Sequence, residues 1–273
     1  MNKLIDTWNA DTFDPALLAD LVAHSALIRD YLEISCRQMR EREASTRLEA
    51  YPENPLAGDY LALKEHIMGI MASRTIRAWH YTRMTDDEVQ LVRQNGVHLS
   101  TIETIRARFA RQVVAGHITK EVAERLFADS PFQGDQLSAR AGKFWMVSNP
   151  VSTTSSGVKP LLASWGGEAA HFWQQDSELK LLLTTIGLPR VLEIAMPLAH
   201  SRHSYRAAEA VVATYARTLG CRPDGGNFDL YSQCALGPEA ILDVHSEGDE
   251  SFTQFARGYP PGYMAVDANG DDD

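Results

Sequence analysis

A chain of 273 residues with 44% apolar content is long enough to bury a substantial core, and this composition excludes an intrinsically disordered protein. Its net charge of −10 argues against non-specific binding to polyphosphate, so any nucleic-acid partner needs a local basic patch such as the arginine-rich "CRQMREREASTR" at 36–47. Three widely spaced cysteines, Cys36, Cys221 and Cys234, form neither a disulfide framework nor a CxxC metal site. No window reaches the roughly 18 apolar residues of a membrane span and "MNKLIDTWNADTFD" lacks a signal peptide's apolar run, so the expectation is a cytoplasmic, non-membrane protein.

In chain order, the first predicted helix starts after Asp14, a capping residue, with Pro15 at the first helical position. Leu17, Leu18, Leu21, Val22, Ile28 and Leu32 then fall on one broad face. A second helical run after "YPENPLAGD" aligns Leu63, Ile67, Ile70 and Met71. Residues 1–72 therefore read as a helical N-terminal part.

From Thr75 short β-branched and aromatic runs alternate with helical segments. Strands are predicted at 75–82, 96–101, 143–148, 190–196 and 239–245. Between the first two, Thr85 and Glu88 have capping-box spacing and Gly96 closes a helix over 85–96. Further helices are predicted at 101–115, 119–129, 167–174, 177–186 and 204–219. This order argues for an α+β fold. "RPDGGNFDLYSQC" at 222–234 reads as a turn, "NPVSTTSSG" at 149–157 as a solvated loop, and the acidic tail 248–273 as mobile. His200 and His203 in "HSRH" have no matching carboxylate or cysteine, so no metal site is expected. There is no GxGxxG after a strand, no GxxxxGK[ST], no GxSxG and no HExxH.

Within "RAWHYTRM", at 77–84, strand alternation puts Ile76, Ala78, His80 and Thr82 on one face and Trp79 and Tyr81 on the other. His80-x-Thr82, the capped helix, "GVHLST", the aromatic "GKFWMVS" and a late strand opening with Glu239 together resemble the mono-ADP-ribosyltransferase superfamily. The similarity is to its histidine-tyrosine-glutamate branch, that of the diphtheria-toxin and poly-ADP-ribose-polymerase catalytic domains.

This resemblance implies a split β-sheet catalytic domain over 73–247, with NAD as cofactor. It implies cleavage of the nicotinamide–ribose bond and transfer of ADP-ribose to a macromolecular acceptor, protein or nucleic acid, as in a bacterial toxin, effector or phage-defence protein with a neutralising partner protein. His80 would hold a ribose hydroxyl, flanked by Tyr81 and Thr82, and Phe144 or Trp145 would give the nicotinamide a stacking face. Glu239 would stabilise the oxocarbenium-like centre. Glu168, in "SWGGEAAHFW", competes for that role because two glycines place it at the start of a helix among aromatic residues. Two further readings on the same fold are an RNA 2′-phosphotransferase using Arg77, Arg83 and His98, and an inactive binding module.

Overall fold

A computed structural model describes residues 3–44, 52–134, 137–172, 174–224 and 226–255. In chain order the elements are α1 (Pro15–Ala23), α2 (Ser25–Ala44), α3 (Ala57–Met71), β1 (Thr75–Met84), α4 (Asp86–Asn95), α5 (Ile102–Val114) and α6 (Lys120–Ala128). There follow α7 (Leu137–Arg140), β2 (Phe144–Val147), α8 (Lys159–Ala163), α9 (Gly167–Ala170), α10 (Ser177–Thr185) and β3 (Leu188–Pro197). The chain ends its regular structure with α11 (Ser204–Thr218), β4 (Asp229–Ser232), β5 (Ile241–Ser246) and α12 (Glu250–Phe255). The fold is α+β, and among the described residues no helix is long and apolar enough to cross a membrane.

These elements divide into two compact units. One holds the described residues up to Arg77 together with Pro197–Phe228, and the other holds Ala78–Met196 with the described residues from Asp229 onward.

The first unit is helical. Asp14 starts α1 as predicted, its carboxylate accepting from the backbone N–H of Ala16 and Leu17, with Pro15 at the first position. Leu17, Leu21, Ile28, Leu63, Ile67 and Met71 are buried, which accounts for the apolar stripes of α1 to α3. The segment at 204–219, expected within a continuous domain over 73–247, instead joins this unit, and α11 packs on α3. Its small buried residues, Ala207, Ala208, Ala210, Ala213 and Ala216, allow such close helix packing. Tyr215 extends the contact through its hydroxyl, 2.7 Å from that of Ser25, and Lys64 pairs with Glu209 at 3.2 Å.

The second unit is built on a five-stranded sheet of order β4-β2-β1-β3-β5. β2 runs antiparallel to both β1 and β4, and β5 runs antiparallel to β3. Beside it lies a helical core in which Ile105, Phe109, Leu126, Phe127, Phe132, Trp165, Leu183 and Ile186 pack together. α4 carries the full predicted capping box: Thr85 accepts from the Glu88 N–H while Glu88 accepts from the Thr85 N–H. Gly96 ends it at φ 75°, and a Cβ there would lie 1.9 Å from the Leu236 carbonyl oxygen, so glycine is required by both angle and space.

Four expectations change. "GVHLST" forms only isolated bridges, Val97 with Leu236 and Ser100 with Lys143, because the Thr101 N–H is spent on the Thr104 hydroxyl in the cap of α5 rather than on a ladder. Residues 229–232, read as part of a turn, form β4, whose four residues pair Phe144 with Ser232 through Val147 with Asp229. The helix expected over 167–174 stops at Ala170, and the chain then turns so that Gln174 accepts from Asp176 N–H, leading into the Asp176 cap of α10. In the tail, Glu250–Phe255 is helical with Phe252 buried, against the expectation of mobility; residues 256–273 lie outside those described.

Candidate functional site

The site begins with β1, the central strand. Its alternation turns His80 to the same side as Ala78 and Thr82, both of which are buried. β2 lies alongside with Trp79 opposite Val147, so two-residue periodicity brings Met146 and Phe144 to the side of His80 and sends Trp145 to the other. The observed contacts follow. The Phe144 ring centroid is 4.5 Å from that of His80 at an interplanar angle of 38°. The His80 Nδ1 lies 2.8 Å from the Trp145 carbonyl oxygen.

A carbonyl oxygen can only accept, so Nδ1 carries the proton and Nε2 is left with its lone pair. The ring keeps partial access to solvent. It is nevertheless enclosed enough that loss of hydration, reinforced by the nearby Arg108 charge and opposed by the Trp145 carbonyl, pushes its pKa down to about 4. At neutral pH His80 is an uncharged hydrogen-bond acceptor braced against an aromatic face.

The remaining predicted residues divide between those near His80 and those elsewhere. Trp145 contributes its carbonyl, whereas its indole is 39% exposed and meets Tyr231 edge-on at 4.7 Å. The Lys143 ammonium sits 4.9 Å from the Tyr231 centroid and donates to the Ser138 and Ala139 carbonyls. Tyr81 uses its hydroxyl on the loop at 149–157, donating to the Val151 carbonyl at 3.0 Å and accepting from the Val151 N–H at 2.7 Å. It thereby fixes that loop against β1.

Glu239 is exposed in the turn Pro238–Ala240 that leads into β5, and its carboxylate folds back over Gly237. In the sheet, β3 stands between β5 and β1, and no contact among the described residues links Glu239 to His80. Glu168 lies in α9 behind Gly166, whose φ is 83°; its side chain lies outside what the structure describes, as does Trp173. Trp165 is fully buried in the helical core rather than bordering a ligand site. Of the basic residues of the phosphotransferase reading, Arg77 pairs with Asp6 at 2.8 Å, Arg83 donates to the Ile186 carbonyl, and His98 is exposed. His203 accepts from or donates to the Ser201 hydroxyl at 2.7 Å, and no cluster among the described residues could hold a metal ion.

What sequence reasoning missed is a buried ion pair within the same unit. The Glu88 carboxylate accepts from Arg108 Nε at 2.6 Å, from Thr85 N–H at 2.9 Å and from the Trp165 indole N–H at 2.9 Å. Burial alone would raise its pKa, but the Arg108 charge and these three donors outweigh that and hold it below the ordinary carboxylate value. The Arg108 guanidinium also lies over the Trp165 ring, 4.7 Å from its centroid, and donates to the Arg83 carbonyl on β1. The capping-box spacing marked Glu88, but nothing in the sequence pointed to Arg108 as its partner. The group keeps a fixed positive charge close enough to His80 to oppose its protonation. Neither family models nor curated proteins nor solved structures yield a match to this chain.

Proposed function

We propose that the protein is an NAD-dependent ADP-ribosyltransferase that cleaves the nicotinamide–ribose bond and passes ADP-ribose to a protein or nucleic-acid acceptor. The observation that carries this reading is the neutral His80 imidazole, with Nδ1–H spent on the Trp145 carbonyl and Nε2 open as an acceptor, beside the Phe144 ring. A ribose hydroxyl suits such an acceptor, and a planar nicotinamide suits such a ring.

In this reading His80 Nε2 accepts a hydrogen bond from a ribose hydroxyl and fixes the sugar. Phe144 supplies the flat apolar face, and Thr82, on the same side of β1, closes the floor. Bond cleavage builds positive charge on the anomeric carbon, and a carboxylate stabilises it. Glu168 and Glu239 are the two candidates for that carboxylate, and the exposed position of Glu239 beyond β3 makes Glu168 the first to test. The placement of Glu239 also favours a second reading, a module on the same site that binds the dinucleotide without turning it over.

Incubation with NAD labelled in the adenosine half and a cell lysate, with nicotinamide release followed in parallel, tests the proposal. Transfer of label to protein or nucleic acid is expected, with His80→Ala inactive, Phe144→Ala weakened, and one of Glu168→Gln and Glu239→Gln inactive. Binding of NAD by calorimetry without nicotinamide release selects the second reading. Undiminished release by His80→Ala, or no binding at all, removes both.

A further inference from the structure

The side of the sheet turned away from His80 carries a second group of side chains, at the corner formed by β2 and β4. Alternation along β2 puts Trp145 and Val147 on this side, and the register sets Tyr231 opposite Trp145 and Asp229 opposite Val147. The indole and the phenol ring meet edge-on at 4.7 Å, with 63° between their planes. Lys143, which leads into β2, brings its ammonium to 4.9 Å from the Tyr231 centroid and 5.9 Å from that of Trp145. All of these residues belong to the second unit.

Two features separate this group from ordinary surface. Trp79 and Trp165 are buried, whereas the Trp145 ring stands exposed on a strand, and it does not serve the His80 site, to which Trp145 contributes its carbonyl. The lysine is also held. Its ammonium donates to the Ser138 carbonyl at 3.1 Å and the Ala139 carbonyl at 2.9 Å, so a side chain that is ordinarily flexible is fixed beside two rings. A flat exposed ring next to a fixed positive charge matches a ligand that joins a planar π-system to a negative group, which is how a nucleotide is built. The ammonium opposes a cationic peptide. A long run of phosphates is opposed as well, by the net charge of −10 and by Asp229, exposed on the same face. Contact is therefore short, with stacking rather than charge supplying most of it, and a base is open to such stacking in a single strand rather than in a duplex.

We propose that the β2–β4 corner binds single-stranded nucleic acid, with a base stacked on Trp145 beside Tyr231 and the adjoining phosphate at Lys143. This binding rests on none of the chemistry assigned to His80; joined to that chemistry, it selects nucleic acid over protein as the acceptor.

The test is fluorescence anisotropy of the full chain, without NAD, on a labelled oligothymidylate of about ten nucleotides and on an abasic strand of the same length, which keeps every phosphate and lacks the bases. Saturable binding is expected, about tenfold tighter for the strand with bases. Trp145→Ala, a change at an exposed position, should bring the two strands to the same affinity, and Trp145→Phe, which restores a flat ring, should separate them again. Lys143→Gln keeps donors for the Ser138 and Ala139 carbonyls but removes the charge. It should weaken both strands and make the slope of log affinity against log salt shallower by about 0.7, the value for one phosphate on a single strand. Equal affinity for the two strands in the unaltered protein, absence of saturable binding, a Trp145→Ala protein that still prefers the strand with bases, or an unchanged salt slope in Lys143→Gln would each overturn the assignment.

Discussion

Replacing Glu88 by glutamine removes one charge from a carboxylate whose side chain is 5% exposed and leaves Arg108, 21% exposed, without its partner. Glutamine still offers an oxygen to Thr85 N–H and to the Trp165 indole, so those bonds can persist and the loss is confined to the ion pair and the dipole of α4. Breaking a buried pair from one side costs about 3–5 kcal/mol, and a negative charge in the first turn of a helix adds about 0.3–1 kcal/mol. Because Arg108 can turn partly toward solvent, the lower end applies, and Glu88→Gln should cost about 3 kcal/mol at neutral pH. The dependence on acid supplies a second handle. The carboxyl pKa in the folded protein lies below its unfolded value. Its contribution is therefore complete above the unfolded value of about 4.5 and vanishes as pH falls through the folded one. Urea unfolding of both proteins, followed by circular dichroism and tryptophan fluorescence at a series of pH values, should show a gap of about 3 kcal/mol at pH 7 that narrows as the pH is taken below the ordinary carboxylate range. Adding Arg108→Met to Glu88→Gln should recover part of the loss. A gap below about 1 kcal/mol at pH 7, or one that does not change with pH, would refute the ion-pair account.

Three further outcomes follow from local geometry. The His80 imidazole should titrate near pH 4 by NMR, and since its folded value lies below its unfolded one, stability should rise with pH between about 4 and 6.5, a rise that His80→Gln removes. A titration midpoint near 6.5 would contradict the neutral, Nδ1-protonated ring. Gly96→Ala must place a Cβ 1.9 Å from the Leu236 carbonyl at φ 75°, and should destabilise by about 3 kcal/mol or more in chemical denaturation. Asp14→Ala deletes the cap of α1 and the 2.7 Å contact with Arg74, for an expected loss of about 2–3 kcal/mol, and a loss below about 0.5 kcal/mol would show the cap to be idle.

Signals confined to a few neighbouring residues could be read from the sequence. Asp14 with Pro15, Thr85 with Glu88, and the alternation around His80 each specify a backbone arrangement within one turn or one strand, and each is present. The proximity of Phe144 and Trp145 to His80 came from a family resemblance rather than from any local rule, and the structure does bring Phe144 and the Trp145 carbonyl to that ring. Features resting on distant partners were hidden. Four residues of β4 are too few to display a period, so only pairing with β2 reveals them. The alanine-rich face of α11 announces a close neighbour without saying which, and α3 proves to be it. Arg108 reads as one more charge on an amphipathic helix until Glu88 is seen beneath it. The resemblance also directed attention to Glu239 by order along the chain, and order does not fix distance once a strand intervenes.

The chain passes from one compact unit to the other between Arg77 and Ala78, returns between Met196 and Pro197, and leaves again between Phe228 and Asp229. Synthesis from the N-terminus therefore cannot finish either unit early. The helices before Arg77 must wait on the ribosome for α11, and the sheet around His80 lacks β4 and β5 until Ser246 has been added. A fragment cut after the third helix would leave α3 without the helix α11 that packs on it, so trimming to an isolated N-terminal piece should yield an aggregating product rather than a soluble one. The five-stranded sheet that carries His80 is complete only once β5 has been synthesised.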